Sequence, residues 1–122
     1  MMTVFEYCYR DAGNFKAFGH LTLNGVLSLG EISTIRERLS GDGLFIAEQI
    51  NVPPLYEQLY QWSGGPTSSD HCWHEFVDIK VLDKAERPEG SHEGGDSQEF
   101  LAHLLAIDSW DEDLSPHFRF IA

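Results

Sequence analysis

The chain has 122 residues, 42% of them hydrophobic, which is the length of one domain with enough apolar surface for a core; a disordered chain and a pair of ordinary domains are both excluded. Twenty acidic residues against eight basic ones give a formal charge of −12. Such a surface repels phosphate backbones, so nucleic acid and anionic membranes are not expected partners.

Two cysteines, Cys8 and Cys72, do not make a disulfide framework. No stretch approaches the roughly 20 apolar residues that span a bilayer. Met1-Met2-Thr3 runs straight into alternating residues, without the basic start and apolar core of a secretion signal, so a cytoplasmic setting is expected. The acidic balance serves solubility at least, and it also suits a basic protein partner.

Thr3 to Arg10 alternates as a strand, with Thr3, Phe5, Tyr7 and Tyr9 on one face and Val4, Glu6, Cys8 and Arg10 on the other. Asp11-Ala12-Gly13-Asn14 is turn chemistry. A second alternating run from Phe15 to Leu23 completes an antiparallel hairpin, with Ala17, Leu21 and Leu23 on one side and Lys16, Phe18, His20 and Thr22 on the other.

Ser28-Leu29-Gly30-Glu31 has the form of a capping box, and Leu29, Ile32, Ile35 and Leu39 recur at helical spacing behind it. Leu44 to Gln49 reads as a buried strand. Pro53-Pro54 ends any ladder, since neither residue has an N–H to donate. A second helix is expected from Pro54 through Trp62, carrying Leu55 and Leu59. Cys72 to Leu82 is the last clear strand, with Trp73, Val77, Ile79 and Val81 expected on one face and His74, Phe76, Asp78 and Lys80 on the other.

Residues 83–96 are polar, glycine-rich and without periodicity, and they read as a mobile acidic linker. Asp96-Ser97-Gln98-Glu99 then opens a helix whose stripe is Phe100, Leu101, Leu104 and Leu105. That helix and the tail to Ala122 form the C-terminal part of a single domain over 1–122. The expected class is α+β, a small antiparallel or mixed sheet of about four strands with two or three helices on one face.

Asp70-His71-Cys72-Trp73-His74-Glu75 is dense in metal-ligating and acid–base groups. Asp70, His71, His74 and Glu75 are its candidate ligands for a divalent metal, with His20 as a further donor, and a metal-assisted hydrolase is the alternative reading they support. In an unbroken strand His71 and His74 point apart, so convergence needs a loop there. The competing reading makes Trp73 a core residue and His74 a hydrogen-bonding residue at a strand end.

Tyr7, Tyr9, Arg10 and Asp11 at the hairpin end, with Glu48 before Pro53-Pro54 and His74, are the candidate ligand-binding set for a small planar or anionic molecule. A small pocket between the sheet and the Pro53-Pro54 turn is a related possibility. No phosphate-loop, dinucleotide or nucleophile-elbow motif is present. No cofactor is therefore expected, and the leading reading is a non-enzymatic binding module, with a homodimer as one form it could take.

The run from Phe5 to Lys16, Ala47-Glu48-Gln49 before Pro53-Pro54-Leu55, Ser63-Gly64-Gly65-Pro66 leading to Asp70-His71, and His74-Glu75-Phe76 together resemble a family of small, uncharacterised bacterial proteins scattered across genomes and mobile elements, including integron gene cassettes. The resemblance covers about residues 3 to 82. It implies a cytoplasmic bacterial accessory protein and transfers no catalytic residue, because the family has no assigned activity.

Overall fold

The computed structural model describes residues 1–10, 16–39, 43–55, 73–107 and 109–110. Strands β1 (Met2–Arg10) and β2 (Lys16–Asn24) form the expected antiparallel hairpin, with Phe5 opposite Leu21 and Tyr7 opposite Gly19. Helix α1 (Leu29–Arg38), the short strand β3 (Leu44–Ile46) and strand β4 (Trp73–Leu82) follow. Strand β5 (His92–Asp96) and helix α2 (Ser97–Leu105) complete the described elements. The expected second helix beyond Leu55 and the tail after Trp110 lie outside the described residues.

The sheet has five strands in the order β3-β4-β1-β2-β5. All neighbours are antiparallel except β2 and β5, which run parallel, so the sheet is mixed. Central β1 is buried on both faces: Phe5, Tyr7 and Tyr9 on one side, Met2, Val4 and Cys8 on the other. The first side carries the main core, and both described helices reach it. Ile35 of α1 and Phe100, Leu101 and Leu104 of α2 pack there, with the Phe100 ring 5.4 Å from that of Phe5.

Helix α1 starts as its sequence dictates. Ser28 Oγ accepts from the Glu31 amide at 3.1 Å, and the Glu31 carboxylate accepts from the Ser28 amide at 2.9 Å. The reciprocal cap satisfies two donors that the first turn otherwise leaves open. Glu31 also accepts from Gln98 of α2 at 2.9 Å. The Ser28 amide and then the Gln98 side chain hold the Glu31 carboxyl below its ordinary range. Ile35 and Leu39 bury as expected, but Leu29 is 84% exposed, so the docking stripe begins only at Ile32.

Two differences from the sequence reading matter for function. The expected strand from Leu44 ends at Ile46, and Ala47–Ile50 form a 3-10 turn closed by Asn51 in the left-handed region, φ 56°. In β4 the pairing with β1 shifts between Glu6 and Tyr7, so Asp78 faces Glu6 while Phe76 faces Tyr7. Val77 is the extra residue of this bulge and is exposed. The bulge reverses the expected facing in the first half of β4, so that His74 and Phe76 join the core side.

Residues 83–96, expected as a linker, instead hold a 3-10 turn at Lys84–Glu86 and the edge strand β5. Thr22 Oγ1 donates to the His92 carbonyl at 3.0 Å. Gly94 allows the close approach: a Cβ there would sit 2.7 Å from both Leu21 Cγ and Leu23 Cδ2. Polar residues suit an exposed edge, which is why apolar periodicity gave no signal. Asp96 caps α2 by accepting from the Gln98 and Glu99 amides at 3.0 and 3.1 Å.

Gly94→Ala is expected to lower stability by about 1–3 kcal/mol in urea melts, because the neighbouring leucines must move. Glu31→Gln is expected to lower stability at neutral pH and to converge with the parent protein in acid. A carboxyl held below its ordinary range stabilises only while ionised, so its contribution is present above the ordinary carboxylate pKa and lost as pH falls through the depressed one. Thermal melts across that range check the sign.

Candidate functional site

The bulge in β4 decides where each candidate residue goes. Tyr7, Tyr9 and His74 come together on the core side, all fully buried, beside Phe45. The His74 ring lies 5.3 Å from Tyr9, 5.9 Å from Phe45 and 6.1 Å from Tyr7. His74 Nε2 accepts the Leu55 amide at 2.9 Å, which places the ring proton on Nδ1. The Tyr7 hydroxyl donates to the Pro53 carbonyl at 2.7 Å. Burial pushes the Tyr7 phenol well above its ordinary pKa, so this hydroxyl stays a donor.

These two bonds anchor the Pro53-Pro54-Leu55 segment to the sheet. Leu55 in turn sits over Gly19, where a Cβ would approach it to 2.9 Å. Leu55, Tyr7 and His74 thus meet where the Pro53-Pro54 segment crosses the sheet.

The opposite side of the sheet carries a separate polar group. Arg10 Nε lies 3.2 Å from Glu75 Oε2, and the Cys8 thiol lies 3.9 Å from the same oxygen. Burial, and next the Glu75 charge, raise the Cys8 thiol, against the pull of Arg10 and Lys16. Further along, Glu6 Oε1 is shared by Lys80 Nζ at 3.1 Å and His20 Nε2 at 3.8 Å.

His74 and Glu75 are therefore split by the sheet, and His20 lies on the Glu75 side. Neither joins His74 in a metal site. Glu48 sits half-buried on the 3-10 turn Ala47–Ile50, a separate element from both groups. Asp11, Asp70 and His71 lie outside the described residues. Among the described residues, no three His, Cys, Asp or Glu side chains converge to hold a metal ion.

A feature that sequence reasoning missed lies between the end of β2 and the segment leading into β5. A cleft of about 240 Å³ is lined by Met2, Thr22, Leu23, Asn24, Lys84, Arg87, Glu93 and Gly95. A smaller hollow of about 180 Å³ lies beside α2, with Glu99 and His103 on its rim. His103 Nε2 is already bonded to the Gln49 carbonyl at 3.0 Å. The signal for the larger cleft was present as Lys84 and Arg87, three residues apart. A segment without apolar periodicity gives no sign that it forms the wall of a cleft.

Protein-family models, curated proteins and solved structures all give no match to this chain. The functional reading therefore rests on residues and geometry. Among the described residues no helix is long and apolar enough to cross a membrane.

Variants on the two sides of the sheet are expected to behave differently. His74→Ala leaves a cavity and an unpaired Leu55 amide, so a loss of about 2–5 kcal/mol is expected in chemical denaturation. Glu75→Gln breaks a half-exposed ion pair and should change stability by less than about 1 kcal/mol. Comparable losses from the two would contradict the division of roles.

Proposed function

We propose that the protein is a non-enzymatic binding module that engages a basic protein partner through the acidic segment from Asp83 into α2. One observation carries this reading. Asp83, Glu86, Glu89, Glu93, Asp96 and Glu99 are all exposed along that segment, and among the described residues only Glu93 forms an ion pair, with Arg87. The segment's backbone is tied to the sheet through β5, which carries Glu93 and Asp96. A preformed charge array of this kind loses less entropy on binding than a free acidic tail.

The chain's net charge of −12 adds long-range attraction for such a partner. The likeness to small bacterial mobile-element proteins supports an accessory role in the cytoplasm and rests on the sequence blocks alone. The metal-assisted alternative draws no support from the described residues, because His74 and Glu75 diverge.

The test is binding to polylysine and to a panel of purified basic proteins, followed by calorimetry at low salt and at roughly 0.5 M salt. Complexes are expected at low ionic strength and should weaken as it rises. Glu86→Gln combined with Glu89→Gln should weaken them, while Glu37→Gln on α1 should not. Binding indifferent to salt, or equally affected by the α1 variant, would count against this surface.

A further inference from the structure

We infer that the cleft between the end of β2, the 3-10 turn at Lys84–Glu86 and β5 is a binding site for a small anion, a carboxylate or a phosphoryl group. This inference goes beyond the proposed partner surface and does not depend on it.

The argument starts from the turn. The Glu86 amide bonds to the Asp83 carbonyl at 2.9 Å and the Arg87 amide to the Lys84 carbonyl at 3.4 Å. Lys84 opens this turn and Arg87 caps its end, and both line the cleft.

Arg87 is held in place: its Nε donates to Ser91 Oγ at 2.9 Å and a terminal nitrogen to Glu93 at 3.1 Å. Lys84, by contrast, forms no ion pair among the described residues. Its ammonium is the cation left for a ligand.

The opposite wall comes from the sheet. Pairing of β2 with β5 runs Thr22 with Glu93 and then Asn24 with Asp96, so β5 carries an extra residue there. Gly95 absorbs it with φ +80°, and a Cβ added to it would meet nothing within 4 Å. The ladder thus opens beside the two cations. Asn24 is exposed at this opening and offers an amide donor. Buried Met2, on the same face as Thr22 and Asn24, adds an apolar residue to the lining.

A volume of about 240 Å³ lies below that of drug-sized pockets and suits a ligand of up to about ten non-hydrogen atoms. Lys84 and Arg87 against Glu93 leave one net positive charge in the lining. A small monoanion with a short apolar part matches that balance.

The experiment is amide NMR titration of the full chain with acetate and, separately, inorganic phosphate, each against sodium chloride at equal ionic strength. Saturable shifts confined to residues around Thr22, Asn24, Lys84 and Gly95 are expected with at least one of the two anions; which one distinguishes carboxylate from phosphoryl recognition. Lys84→Ala should weaken binding about tenfold or more, while Arg87→Lys, which keeps the charge, should retain part of it. Glu86→Gln with Glu89→Gln should leave it in place, which separates this site from the partner surface. Shifts equal to those with chloride, shifts centred elsewhere, or unchanged affinity in a folded Lys84→Ala variant would overturn the assignment.

Discussion

The bulge at Val77 controls what the polar residues of this protein can do, because a strand side chain has only two directions available. One inserted residue moves every residue upstream of it to the other face. Without the bulge, Trp73 and Glu75 would face the core and His74 would face the Arg10 side. With it, His74 enters a fully buried aromatic cluster, and Glu75 meets Arg10 and Cys8 across the sheet. Burying a carboxylate in place of the imidazole would cost several kcal/mol without a charged partner. The bulge and the order His74-Glu75 are thus one decision, and the anchoring of Pro53 and Leu55 follows from it.

The same constraint explains what was readable in the sequence. The hairpin of β1 and β2, the Ser28–Glu31 cap and the start of α2 at Asp96 were legible, since each depends on residues close in sequence. The facing of Trp73 and Val77 was not, because a bulge has no composition of its own. Two half-registers, His74-Phe76 and Ile79-Val81, each alternate correctly, and only the pairing with Glu6 and Tyr7 shows that they are out of phase. The bulge accordingly distributes the candidate residues over the two faces of the sheet. Tyr7, Tyr9 and His74 meet on the core side, whereas Arg10 and Glu75 meet on the other.

Strand β5 was illegible for a different reason. An edge strand gains from backbone pairing and from docking at one or two points, so it needs no apolar face. His92-Glu93-Gly94-Gly95-Asp96 has almost none, and its fit comes from what Gly94 lacks. An acidic, bulged edge also resists pairing with a second copy of itself, through like charge and a broken ladder. That weighs against a homodimer formed by joining these edges.

The use of cations ties the two sides of the molecule together. In a chain so short of them, Arg10, Arg36, Lys80 and Arg87 each sit against a carboxylate. Arg38 donates to the Ile107 carbonyl, holding the C-terminal end of α1 to the segment after α2. Most basic side chains among the described residues are thus engaged in joining one element to another. Lys84 and Lys16 form no ion pair among the described residues, and of the two Lys84 stands at an opening in the ladder with Arg87 beside it. At physiological ionic strength, charges more than about 8 Å away are largely screened, so the field at the cleft is set mainly by Lys84, Arg87 and Glu93 rather than by the distant negative surface. An acidic protein can therefore carry both a surface suited to a basic partner and a small cleft of opposite preference.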